Sequence, residues 1–305
     1  MHNPSQHQRL QNMALLAAIG LILIWGANFT VQKYLLTILE PTSFLMCRYV
    51  VMPVCALIMF RIKCGEFFPP LPRADWLPMT ILGLIGHSLH TTLAAWGAHW
   101  STPFSSSVIL ACGPLFTLLI LRIMKLERMG ARQLTGVTVA CMGVMIFLSQ
   151  KIMHVQWQAS LGDLILLTAA CSFSLYTIKT KPMIERHGSW ITMGYATLIG
   201  SVPIFFITAS LSWEHTAELI TPTIAFILFL SVFMSAFMGW LVWGWINAVR
   251  GVSKSAPLMY LMPVVAGVFS WLITGEEFTT TKILGGLMAL AGVALSQFNP
   301  NPTQK

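Results

Sequence analysis

Two imidazoles, His87 and His90, stand three residues apart inside an otherwise apolar stretch, a spacing that brings both onto one face of an α-helix. With no carboxylate or thiolate beside them they do not compose a zinc site, and no metal is expected. They read either as hydrogen-bond partners of a neighbouring helix or as a polar cavity wall that contacts a solute or takes a proton near neutral pH. Arg48 lies six residues inside another apolar run, about 9 Å along a helix axis. A lone charge there must snorkel, find a partner or face water. Bonds to outer headgroups or loop carbonyls would satisfy it, and so would a role in closing an outer gate.

Aromatic and amide groups form the second set. Trp25, Asn28, Trp96, Tyr176, Trp243, Trp245 and Tyr260 are candidates for an apolar pocket with a few polar groups. At each position plain packing is the competing reading. Trp76, Trp100, Trp190 and Trp213 fall at the ends of apolar runs, where an aromatic belt is expected. Pro114 and Pro263 each sit about nine residues into an apolar run, where proline removes a helical hydrogen bond and clashes with the preceding turn. Each is either a static kink or half of a paired hinge.

Other chemistries are missing. There is no G-x-x-x-x-G-K-[ST] loop, so ATP is not a direct energy source. Ser105, Ser106 and Ser107 lack a G-x-S-x-G turn and a paired acid and base, so no enzyme and no cofactor are expected. The six cysteines show no C-x-x-C spacing and read as packing residues. No acidic residue lies deep in a run; Glu127, Asp163 and Glu276 read as first-turn residues that stabilise helix dipoles.

The elements that must position these groups follow from composition. The chain has 305 residues, 56% of them hydrophobic and only 9% charged, with mean hydropathy +0.73. Apolar runs near 13–35, 42–60, 76–97, 105–123, 132–149, 161–181, 190–210, 223–246, 254–274 and 282–298 each approach the roughly 20 helical residues that cross a bilayer. Continuous rather than alternating apolarity selects helices over a barrel. The expected fold is therefore an all-α membrane protein with ten transmembrane helices and no soluble domain. The start shows no convincing cleavage site and reads as part of a retained first helix.

A net charge of +8 raises nucleic acid as a partner, but the Lys and Arg residues are scattered singly between runs. Fourteen of them fall in the tail, the C-terminus and the loops after even-numbered runs, against three, Lys33, Lys151 and Lys282, on the other side. That bias places both termini in the cytoplasm; the expected location is the plasma (inner) membrane. Lys179 and Lys181 belong to this orientation charge.

An offset of 149 superposes Trp96 on Trp245, Ser106 on Ser255, Pro114 on Pro263, Glu127 on Glu276, Gly136 on Gly285, Ala140 on Ala289 and Gly143-Val144 on Gly292-Val293. Residues 1–150 and 151–305 thus read as two five-helix repeats. An odd helix number makes the second inverted relative to the first, an arrangement typical of carriers.

The residues now resemble a known family. Trp25-Gly26-Ala27-Asn28-Phe29 looks like the W-G-x-N-F signature of EamA-type members of the drug/metabolite transporter superfamily. Pro41 with Arg48-Tyr49, and Trp245 through Pro263 to Gly275-Glu276 and Gly292-Val293, are similar to its further motifs. The second half carries Phe173 where the repeat expects the counterpart of Trp25. The resemblance implies ten helices around a central cavity and export of amino acids, other metabolites or drug-like compounds. Expected partners are a small-molecule substrate and the lipid bilayer; monomer and homodimer stay open. An anion or phosphorylated-sugar antiporter is the alternative, and an intramembrane enzyme or receptor is the reading from another class.

Overall fold

The computed structural model describes residues 4–124, 130–153, 157–209, 213–250 and 255–297. Glu127 and the loop cations Lys125, Arg128, Lys254 and Lys305 lie outside them. Among the described residues every regular element is helical and none is a strand. In runs this apolar, only the helix pairs every backbone group within its own segment.

Helix α1 (Pro4–Ile38) and α2 (Pro41–Cys64) are joined by a two-residue turn. Pro41 opens α2 and Gly65, at φ 78°, closes it, the usual division of labour between these residues. A single rod follows from α3 (Trp76–Leu82) through a π-helical segment (Gly83–His90) into α4 (Thr91–Trp100). Then come α5 (Pro103–Ala111), α6 (Gly113–Ile123) and α7 (Ala131–Met153). Helix α8 (Trp157–Thr208) is two helices folded about Gly188, at φ 77°, a left-handed conformation that glycine adopts without a Cβ penalty. The chain continues through α9 (Trp213–Leu219) and α10 (Pro222–Ser231), then a second π-helical segment (Val232–Met238) and α11 (Gly239–Arg250). A 3₁₀ segment (Ala256–Leu261) leads into α12 (Met262–Thr274), and α13 (Thr280–Gln297) follows.

Among the described residues, four stretches are long and apolar enough to cross a membrane: Gln8–Ile38, Pro41–Cys64, Ala159–Thr208 and Pro222–Arg250. The third contains the Gly188 fold. Shorter apolar helices at Pro103–Thr117, Leu134–Phe147, Leu258–Thr274 and Thr280–Ser296 complete the apolar set.

The prolines do not lie where continuous runs would put them. The helix expected over 105–123 is broken at Cys112, and Pro114 stands in the first turn of α6. The run over 254–274 changes from 3₁₀ to α at Leu261–Met262, and Pro263 stands in the first turn of α12. A first-turn N–H has no intrahelical partner, so proline is tolerated there. The carbonyl of Gly113, at the first break, accepts a hydrogen bond from Ser174 Oγ at 2.7 Å.

These irregularities are spaced like the sequence repeat. The π-helical segments begin at Gly83 and Val232, and the breaks fall at Cys112 and Leu261, each pair 149 residues apart.

Packing obeys the same offset. Helices α7 and α13 form the most extensive helix pair, with backbones too close for larger side chains. A Cβ on Gly136 would meet Ser296 and Gly292 backbone; one on Gly143, the backbone of Met288 and Ala289; one on Gly292, that of Ala140; one on Gly285, that of Phe147. As α7 advances its partner retreats, so the two helices run antiparallel. Elsewhere α1 packs on α11 and α12, while α2, the first π-helical segment and α4 pack on α8.

Candidate functional site

A cavity of about 120 Å³ lies where α1, α2, the α3–α4 rod, α8 and the second-half helices converge. Helix α1 contributes Trp25, Asn28, Phe29 and Gln32, spaced so that they share one face. Helix α2 contributes Arg48, and the rod contributes His90, Thr91 and Ala94. Phe173 and Ala170 come from α8, and Ser235, Ala236 and Trp240 from the second π-helical segment and the start of α11. Leu110, Met259 and Met262 flank the two helix breaks. Both π segments and both breaks therefore border the space. A π turn has a displaced hydrogen-bond ladder and is common at functional sites.

Individual groups are held in place by their neighbours. Trp25 Nε1 donates to Ser235 O at 2.8 Å, and its ring stands 5.6 Å from that of Trp243. Ser231 Oγ donates to Asn28 Oδ1 at 2.5 Å. His90 Nδ1 is 2.9 Å from Ala169 O; a carbonyl only accepts, so Nδ1 carries a proton, and when the ring is neutral Nε2 is an acceptor. Its ring packs on Phe173 and Trp240, at 5.0 and 5.9 Å.

Arg48 is the only formally charged residue of the lining. Its Nε is buried without a hydrogen-bond partner, and among the described residues it has no ion pair. Arg48 thus borders the cavity with at least its Nε unpartnered.

Of the other expected cavity residues, none belongs to the lining. His87 is buried behind it: the Tyr49 hydroxyl donates to its carbonyl at 2.5 Å, and its ring contacts Tyr176 and Trp240 at 6.2 and 4.7 Å. Both rings pack on Trp240, but only His90 reaches the lining; the two lie in a π-helical segment, whose turn is wider than the α-helical pitch assumed for them. Tyr176 donates to Met193 Sδ at 3.1 Å, in a layer behind Trp240. Trp243 and Trp245 pack in an apolar cluster with Leu21, Ile22 and Ile246 that adjoins the cavity at Met259 and Met262. Trp96 pairs with Trp100 at 5.3 Å and His99 at 6.4 Å near the end of α4. Tyr260 packs with Cys112 and Leu115 between the two breaks, its hydroxyl buried and unpartnered. Sequence reading missed Gln32, four residues beyond Asn28 on the same face, and the apolar members Phe29, Met259 and Met262.

Three acidic residues have roles other than those expected or singled out. Glu276 does not stand in the first turn of α13; it accepts from Phe104 N at the start of α5 (3.3 Å), from Ser270 Oγ (2.5 Å) and from Lys282 Nζ (3.3 Å). Asp163 is fully buried seven residues into α8 and accepts from Ser101 Oγ, so a buried acid exists where none was expected. Asp75, just before α3, takes Arg186 at 2.8 Å and His187 at 2.9 Å. The His187 bond, then the bond and charge of Arg186, hold its carboxyl below the usual carboxylate range.

Helix α1 is fastened at both ends. Near its start, Gln11 Nε2 donates to Val249 O at 2.8 Å and Arg250 donates to Gln11 O at 3.2 Å. Near its other end, Lys33 Nζ donates to Ala98 O and His99 O, at 3.2 and 2.5 Å.

Known proteins resemble this chain in fold or in sequence. A solved crystal structure superposes with TM-score 0.63 over 93% of this chain and 97% of its own, at 14% identity. A Streptantibioticus cattleyicolor protein named "Probable terminal-alkyne amino-acid exporter" is 28% identical over 241 residues, 79% of this chain and 80% of its own. An Escherichia coli protein named "Probable amino-acid metabolite efflux pump" is 24% identical over 295 residues, covering 92% of this chain and 93% of its own. The profile of the EamA-like transporter family matches twice, at residues 12–149 and 160–298. With the helical repeat, the paired breaks and this double match in agreement, the chain belongs to the EamA-like transporter family.

Proposed function

We propose that the chain is a secondary carrier that exports small neutral or zwitterionic metabolites, amino acids foremost, by alternating access through the central cavity. The observation that carries this reading is the pairing of irregularities around the cavity. Two π-helical segments and two helix breaks, each related by 149 residues, border one space containing a few polar groups and many aromatic ones. A site between duplicated halves suits a mechanism in which one half rocks against the other. The names of the two relatives, an amino-acid exporter and an amino-acid metabolite efflux pump, favour the same cargo class.

In this reading the chain crosses the membrane ten times, as inverted halves 1–150 and 151–305, with both termini in the cytoplasm. The antiparallel run of α7 against its repeat counterpart α13 supports inversion. Pro114 and Pro263 act as paired hinges, because each break lets two helical segments change their angle without disrupting a continuous ladder. The few polar groups of Trp25, Asn28 and His90 orient the cargo, and Arg48 faces it.

The test is flux of a labelled amino-acid and amine panel in proteoliposomes, with and without a pH gradient. Uptake of at least one compound that saturates with concentration is the expected result. Absence of flux across the whole panel would overturn the proposal. The antiporter reading for phosphorylated sugars is weaker, since a phosphate dianion would meet only one guanidinium in the lining.

A further inference from the structure

Arg48 sits in the cavity lining with Nε buried and unpartnered. A cation held inside an apolar bundle needs a counter-charge or water, and among the described residues no carboxylate lines the space with it. Nor do the buried acids described above stand uncommitted. Asp75 is taken by Arg186 and His187, Glu276 by Lys282 and Ser270, and Asp163 by Ser101. The protein supplies the positive half of an ion pair and leaves the negative half to whatever enters.

From this we infer that Arg48 is the anchor for a carboxylate of the cargo, so that the transported class is an apolar molecule with one carboxylate. The inference rests on the carrier reading of the same cavity. A guanidinium presents parallel N–H groups that match the two oxygens of a carboxylate. One positive charge balances one carboxylate and leaves a phosphate dianion half uncompensated. The rest of the lining suits the rest of such a molecule. Trp25, Phe173, Trp240 and Met262 offer apolar and aromatic surface, while Gln32 and the acceptor Nε2 of His90 can receive an ammonium without a second charged group. An amino acid with an apolar side chain uses every part of this lining, and a simple amine leaves Arg48 unpaired and repelled.

The test uses the purified full chain and measures binding by tryptophan fluorescence at pH 7. Probes are leucine, methionine and phenylalanine, each compared with its primary amide and its decarboxylated amine. At least one acid should bind about tenfold or more tightly than its amide, as expected for a charge-assisted bond inside protein. Arg48→Gln should abolish that preference, and Arg48→Lys should keep part of it. Equal binding of acid and amide to the wild-type protein overturns the anchor, as does an undiminished preference in Arg48→Gln or no binding by any acid. Should Arg48→Gln not fold, the wild-type comparison and Arg48→Lys still decide. Flux separates the two ideas. Acid-selective binding lost in Arg48→Gln, with no transport, sustains the anchor and sinks the carrier reading, whereas transport restricted to the amides or amines does the opposite.

Discussion

Asp75 illustrates how much a single group's partners set its behaviour. Because His187 and Arg186 favour its ionised form, its pKa in the folded protein lies below the value of about 3.9 in an unfolded chain. The stability this adds is present above that unfolded value and is lost as pH falls through the folded one. Asp75→Asn should therefore lower the melting temperature at pH 7, and the gap between variant and wild type should narrow only below about pH 4. A gap already closed at pH 6 would contradict the argument. Within the cavity, Trp25→Phe removes the donor to Ser235 O and should destabilise the folded protein by about 1 kcal/mol in chemical unfolding. The residues legible in the sequence were those costly to keep in an apolar run. Arg48, His90 and Asn28 stood out because a polar or charged group there needs a reason. Phe29, Met259 and Met262 did not, since an apolar residue among apolar residues carries no mark of which face it occupies.

Proline announced two helix interruptions but not their form. Reading Pro114 and Pro263 as interior residues led to kinks, whereas each begins a new segment one or two residues after a break. The distinction is measurable. An interior proline replaced by alanine would recover about 3 kcal/mol, but Pro263→Ala should change stability by less than about 1 kcal/mol, because its missing N–H lies in an unpaired first turn. The double change Pro114→Ala with Pro263→Ala should slow flux if the breaks are hinges; unchanged vesicle rates would remove that role. The π-helical segments had no sequence mark at all, since an inserted turn keeps an apolar run apolar. The α7 and α13 pairing was partly visible, in that four pairs of positions on these helices supplied four of the eight repeat identities. Gly143→Ala forces a methyl into the backbone of Met288 and Ala289 and should cost about 2 kcal/mol. Gly20→Ala meets nothing within 4 Å and should instead gain about 0.5–1 kcal/mol in helical stability. Melting temperatures of the two variants should move in opposite directions.

For the molecule as a whole, the duplicated plan was legible because duplication leaves identities at a fixed offset, and helical spans because they need length. How the spans gather around a cavity was not, because that depends on which faces meet. Orientation can be tested directly. Reporter fusions after Gly65 and at the C-terminus should read as cytoplasmic, and one after Ser101 as external; a shared side for Gly65 and Ser101 would refute the proposed topology. The seam between α7 and α13 has one more implication. Gly136 meets Ser296, and their counterparts Gly285 and Phe147 meet in turn; Gly143 meets Ala289, and their counterparts Gly292 and Ala140 do the same. Each contact is thus made twice, once by each half in the opposite role, as in an isologous dimer interface. A peptide with the first half alone carries on one helix both the surface that docks and the surface that receives, which makes two free copies their own natural partners.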